Sequence, residues 1–278
     1  MKQGIYFDQS NEAYHADSEA YSSSDIITMG KGGFDYWLWK KKQVRKYSAD
    51  YTIGSVTHLM LEARIKRAPH LIAEQVAIYT GKGKYDSAGF KEFIAANPSQ
   101  YCLLEGDLEY CQSMIEAVFA EPEAVKWFDG CVSEPSIYTN YPGTQVLMKC
   151  RPDLLNIEKG YSVNFKTMRD ASESGWIKAV GEHAYDWQSG TYVDLLRGYF
   201  GYSFDEVHVC VEKPSEEGAP IRVEVYAIPD SAIEFARSQY QQIIAKIPEC
   251  ELKNEWPKPK AYLKAPEIPM WRQMVVEV

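Results

Sequence analysis

The chain has 278 residues, 45% of them hydrophobic, and a formal net charge of −9 at neutral pH. That apolar content can fill one sizeable core, and no run approaches the ~18 apolar residues that a membrane span needs. The acidic balance excludes a protein that coats nucleic acid through bulk charge, yet allows local basic patches and cation sites.

Six scattered cysteines (Cys102, Cys111, Cys131, Cys150, Cys210 and Cys250) form no C-x-x-C pair. This is ordinary core usage in a reducing compartment rather than a disulfide framework or zinc site, and nothing groups the thiols for an iron–sulfur cluster. The start, MKQGIYFDQSNEAYH, lacks the basic and apolar stretches of a signal peptide. A cytoplasmic location is therefore expected.

In chain order, Ser22, Ser23 and Ser24 can cap a helix that begins near Asp25 and runs toward Tyr36, Trp37 and Trp39. The basic patch Lys40, Lys41, Lys42, Arg45 and Lys46 follows; such runs are commonly solvated helix ends. Asp50-Tyr51-Thr52 starts a second helix through GSVTHLMLEARI, a third covers Ser87 to Ala96, and a fourth runs from Asp107 to Val118 with a short continuation to Phe128. At Glu134 the texture changes. SIYTNY, TQVLMKCRPDLLNI and GYSVNFKT read as strands, separated by turn signals at Pro142-Gly143 and Lys159-Gly160. The segment from Ser172 to Arg197 is helical, FDEVHVCVEK and IRVEVYAI are two more strands, and Asp230 caps a helix ending near Ile247. This order predicts an α/β fold with a mixed β-sheet flanked by helices, plus an N-terminal helical elaboration. One domain spans 1–278: a mainly helical part (1–130) carrying His58, an α/β core (131–248) and an extended, proline-rich tail (249–278).

Chemistry concentrates around Asp153, in RPD, and Lys166, in VNFKT. Neighbouring strands lie about 4.8 Å apart, so side chains at their ends converge. Carboxylates there would hold Mg²⁺ or Mn²⁺, and a lysine would position attacking water and balance transition-state charge. The bland reading is a structural Asp153–Lys166 ion pair. His58 and Glu62 fall one helical turn apart, as do Gln188 and Tyr192. Alone, each pair reads as ordinary core or helix surface.

Taken together, G-x-x-x-H-x-x-L-E, then R-P-D, then x-x-K-T, then Q-x-x-x-Y resembles the RecE-type exonuclease domain (exonuclease VIII) of the PD-(D/E)xK nucleases. Lambda exonuclease and RecB nuclease domains are more distant relatives. GIYFDQSNEAYHA, the serine-rich cap and GFKEFIAANP extend the likeness over nearly the whole chain. It implies a restriction-endonuclease-like core, with His58 and Asp153 as metal ligands and Lys166 as the catalytic lysine. Gln188 and Tyr192 would support the site, while Glu62 and Glu134 match acidic positions with supporting or structural roles. The family's second carboxylate falls on Asn164, whose carbonyl remains a weaker, neutral ligand. Two origins fit that asparagine. One is a deliberate replacement, favoured because the lysine persists; the other is a natural homologue that binds without cutting.

The resemblance implies an Mg²⁺- or Mn²⁺-dependent exonuclease resecting double-stranded DNA ends 5′ to 3′ for a RecT-like single-strand annealing partner. It also implies a ring-shaped homo-oligomer, a tetramer favoured, with a basic channel. Lys40, Lys41, Lys42, Trp37 and Trp39 are expected at the DNA entrance. The rival is a non-catalytic DNA-end binding protein of phage recombination or defence.

Overall fold

The computed structural model of the chain describes residues 2–43, 46–216 and 218–258. Its N-terminal part contains β1 (Gly4–Tyr6), α1 (Asn11–Ala16), β2 (Tyr21–Ser22), α2 (Ser23–Gly32), α3 (Phe34–Lys41), α4 (Ala49–Ile65) and α5 (His70–Gln75). Then come β3 (Val76–Tyr79), α6 (Ala88–Ala96), β4 (Tyr101–Leu104), α7 (Asp107–Ala120) and α8 (Pro122–Val125). The remainder holds β5 (Val132–Ser133), β6 (Ser136–Asn140), β7 (Leu147–Cys150), β8 (Leu154–Asn156), β9 (Tyr161–Met168), α9 (Glu173–His183) and α10 (Tyr185–Phe200). It closes with β10 (Asp205–Glu212), β11 (Val223–Ala227), α11 (Asp230–Ile244) and α12 (Ile247–Lys253).

Among the described residues the strands form a four-stranded sheet β1-β6-β7-β2, a five-stranded sheet β11-β10-β9-β8-β5 and the pair β3-β4. The five-stranded sheet is mixed, because β9 and β10 run parallel while β8–β9 and β10–β11 are antiparallel. Side chains alternate across a strand. Val163 and Phe165 of β9 therefore enter the apolar cluster with Val56 and Leu61 of α4 and Met114 and Val118 of α7. Ser162, Asn164 and Lys166 face the other way, toward α10. A second core packs α2, α10 and α11 on the four-stranded sheet through Ile26, Met29, Leu195, Tyr240 and Met148.

The expected helices and strands follow one another in the expected order with four local differences, and the structure adds β1 to β5, α1 and α5, which the sequence reading did not expect. The helix read from Asp25 to Trp39 is two helices, because Gly33 adopts φ 87° and breaks it; glycine alone reaches that conformation freely. The Ser22–Asp25 capping box fixes the start of α2. The single strand read through RPD is two strands in different sheets, β7 and β8. Pro152 has no N–H to give to a ladder, so the pairing switches there. The helix read from Ser172 to Arg197 breaks at Ala184, which sits at φ 56°. The tail expected to be extended from 249 starts inside α12, and its part from 259 to 278 lies outside the described residues.

All six cysteines are free, and five are buried. No described helix is long and apolar enough to cross a membrane.

Candidate metal centre

Three elements deliver the acidic and imidazole groups to one place. Ser48 caps α4 by accepting from the Tyr51 amide, and the helix carries His58 over the end of β9. Close approach is possible because Gly54 has no side chain: a Cβ there would lie 3.1 Å from Thr167 Oγ1. Asp153 occupies the break between β7 and β8. Its Oδ2 accepts from the Phe165 amide at 2.6 Å and its Oδ1 lies 3.1 Å from His58 Nδ1. Glu134 follows β5 at φ 54°, a left-handed conformation costing a non-glycine residue of order 1 kcal/mol. Its amide donates to the Asp153 carbonyl at 3.0 Å.

His58, Glu134 and Asp153 each place a ligand atom within 4.8 Å of the others. Two carboxylate oxygens and an imidazole nitrogen form a donor set that suits a divalent cation. Burial pushes the Glu134 carboxyl well above its ordinary range, and the Asp153 charge pushes it further. Burial acts upward on Asp153 as well, but His58, Lys166 and the Phe165 amide outweigh it and hold its pKa low. Crowded carboxylates of this kind are relieved by a cation between them. Arg151 supplies partial compensation, with Nε 2.9 Å from Glu134 Oε2 and a second nitrogen donating to the Gln9 carbonyl at 2.6 Å.

On β9, Asn164 is 2% exposed and Lys166 lies at the rim. Lys166 Nζ donates to Gln188 Oε1 at 3.1 Å and sits 4.8 Å from the centre of the Tyr185 ring. One turn along α10, Tyr192 donates to the Arg151 carbonyl at 3.3 Å. The amine is thus aimed by an acceptor and an aromatic face, beside the acidic cluster.

His58, Glu62, Glu134, Asp153, Asn164, Lys166, Gln188 and Tyr192 all line one open cleft of about 1550 Å³. Glu134, expected to play a supporting or structural part, places a carboxylate oxygen within 4.8 Å of the ligand atoms of His58 and Asp153. Glu62 pairs with Lys66 at 2.7 Å. Of the residues expected at a DNA entrance, Lys41 lines the cleft, whereas Lys40, Lys42 and Trp39 lie outside its lining. Trp37 is corrected outright. It is 4% exposed, packs on Tyr21 and Trp256 and donates to Asp25 at 2.7 Å, so no base can stack on it. Arg45 of the basic patch lies outside the described residues. The cleft lining carries charges of both signs, with Lys41, Lys66, Lys149, Arg151, Lys166 and Lys213 among its acidic side chains.

Behind Asn164, the sheet and α10 enclose a polar cluster that motif reading missed: Ser162, Ser189, Glu206 and His208. Its signal was present in DEVHVCVE, where Glu206, His208 and Cys210 alternate with valines on one face of a buried strand.

A cation-competent carboxylate cluster beside a strand-borne lysine, on a mixed sheet between helices, defines the architecture of a PD-(D/E)xK nuclease domain. The chain belongs to the family described as the PDDEXK-like domain of unknown function (DUF3799), whose model matches residues 38–264. No curated protein matches the sequence. Among solved structures, a provisionally named exonuclease from Eubacterium rectale is similar at 14% identity and a TM-score of 0.62, covering 94% of this chain and 96% of that one. That likeness shows a shared restriction-endonuclease-like fold. An alkaline exonuclease from Laribacter hongkongensis gives 10% identity and a TM-score of 0.31, over 61% of this chain and 84% of that one, too slight to carry an argument.

Proposed function

We propose that the chain is a divalent-metal-dependent deoxyribonuclease acting on the ends of double-stranded DNA. The observation that carries this reading is the convergence of His58, Glu134 and Asp153 on one point, with Lys166 aimed beside it by Gln188. His58, Glu134 and Asp153 would hold Mg²⁺ or Mn²⁺, with Asn164 beside them as a neutral fourth group. Bound there, such a cation would supply Lewis acidity toward the scissile phosphate and would lower the pKa of attacking water. Lys166 orients that water and offsets charge building on the phosphate oxygens. Gln188 fixes the amine through its carbonyl oxygen, leaving the amine's remaining N–H groups to substrate. Tyr192 ties α10 to Arg151, and Arg151 in turn steadies Glu134.

The finer assignment rests on the family resemblance alone: 5′ to 3′ resection, a RecT-like annealing partner and a ring-shaped homo-oligomer. A non-catalytic DNA-end binder is the second reading, favoured by one observation, the asparagine at the position of the motif's second carboxylate. Incubation of blunt linear duplex and of closed circular DNA, with Mg²⁺ and with EDTA, tests both. Mg²⁺-dependent loss of the linear form alone supports the exonuclease. Binding of ends without cleavage supports the second reading.

A further inference from the structure

Asn164 is the one position where the chain departs from its motif, and its surroundings explain why an amide sits there. The side chain lines the cleft, yet its Nδ2 is buried without a formed hydrogen bond. A buried amide N–H₂ with no acceptor is rare and calls for a partner close by. The parallel register of β9 and β10 pairs Ser162 with Glu206 and Asn164 with His208, which brings Glu206 onto the same face one step away.

Glu206 is 8% exposed and, among the described residues, has no arginine or lysine salt bridge. Its Oε1 accepts from Ser189 Oγ at 2.8 Å, its Oε2 lies 3.4 Å from Ser162 Oγ, and His208 Nε2 stands 3.3 Å away. Ser189 Oγ is also 2.9 Å from His208 Nε2, while His208 Nδ1 has no partner. The arrangement assigns the ring proton to Nε2, donating to Ser189, whose own proton goes to Glu206. This relay of donors ends on the carboxylate, and a carboxylate has acceptor sites to spare for one more. Burial lifts Glu206 to about 7, and the Asn164 amide, like Ser189 and Lys166, acts to favour its charged form.

Resting on the metal-centre reading above, we propose that Glu206 is the positioning residue for Asn164. Its buried carboxylate takes the Asn164 N–H₂ as donor and so turns Oδ1 toward the cation held by His58, Glu134 and Asp153. The negative charge that the motif places on β9 has moved one strand over, behind a neutral relay. This is the logic by which outer carboxylates orient metal-bound side chains. It also makes the asparagine a native match rather than a lesion, because an aspartate in its place would set a second buried carboxylate against Glu206.

The test is a four-protein cycle: wild type, Glu206→Gln, Asn164→Asp and the double variant, each titrated with Mn²⁺ by calorimetry without DNA and melted in EDTA. Glu206→Gln in the wild-type background should weaken Mn²⁺ binding by roughly 10–100-fold. In the Asn164→Asp background the same change should strengthen it by about tenfold or more, because the opposing charge is gone. A merely structural glutamate would weaken binding in both backgrounds or in neither, and either result overturns the proposal. Should Glu206→Gln alone fail to fold, the double variant keeps one amide and one carboxylate in the same volume. It should fold and bind Mn²⁺ more tightly than Asn164→Asp, and weaker binding would sink the idea. Wild type that binds no Mn²⁺ removes the metal centre itself, whereas wild type that binds while Glu206→Gln is unchanged removes this inference alone.

Discussion

Asp153→Asn is the sharpest probe of the centre. The change removes one charge while keeping a carbonyl oxygen able to accept from the Phe165 amide. Glu134 and Asp153 offer ligand atoms no more than 4.8 Å apart; at an effective dielectric near 20 the repulsion between two ionised carboxylates at that distance is about 3.5 kcal/mol. The sign follows from the two opposite shifts. Glu134 is raised, so its contribution is present at low pH and lost as pH climbs through its folded pKa. Asp153 is lowered, so its contribution is present above the ordinary carboxylate range and lost as pH falls. In EDTA, wild type should therefore lose stability as pH rises out of the carboxylate range, by on the order of 3.5 kcal/mol, or about 10 °C in Tm. Asp153→Asn should flatten that decline. Mn²⁺ should restore wild type at neutral pH, since a ligand preferring the native state stabilises it, and should leave the variant almost unmoved. Thermal melts across pH, with EDTA or Mn²⁺, read all of this. Parallel pH curves for the two proteins, or equal rescue by Mn²⁺, would refute the reasoning.

Three further outcomes are expected. His58→Ala should weaken Mn²⁺ binding at least as much as the roughly 10–100-fold cost of losing a supporting residue, with the metal-free Tm nearly unchanged; the reverse pattern in calorimetry and melting would make His58 a packing partner of Phe165. Lys41→Ala should reduce the slope of log affinity against log salt for duplex DNA by about 0.9, measured by fluorescence anisotropy, while Lys40→Ala and Lys42→Ala change it less. Gly54→Val should cost about 1–3 kcal/mol by forcing α4 off β9 and should loosen metal binding. Gly54→Ala should come out near neutral, its clash with Thr167 offset by up to ~1 kcal/mol of helix propensity. A Gly54→Val protein as stable as wild type in urea would mean the two elements have slack.

Much of the site was legible because its pieces are local. A helical turn sets His58 against Glu62 and Gln188 against Tyr192, and a strand's alternation sets Asn164 with Lys166, whatever the rest of the chain does. What stayed hidden depends on tertiary pairing. Glu134 reaches Asp153 only through a left-handed backbone turn and the short β5–β8 ladder. Glu206 comes onto the face of Asn164 only because β10 returns parallel to β9 after two intervening helices. Trp37 was misread for a related reason. Its indole N–H finds Asp25 through the break at Gly33, which folds α3 back on α2, and a continuous helix would have left it outside.

The strand switch at Arg151-Pro152 has a practical side. Arg151 reaches the Gln9 carbonyl, and Lys149 on β7 reaches the Tyr14 and Asp17 carbonyls at 2.6 Å each. β1 zips onto β6 in the same sheet. The first two dozen residues, a stretch that cloning strategies readily trim or overwrite with an affinity tag, are therefore stitched to the strand that delivers Asp153. A clone shortened there would yield protein with a distorted carboxylate cluster and could be mistaken for an inactive family member. Tags and fluorophores belong elsewhere on this chain.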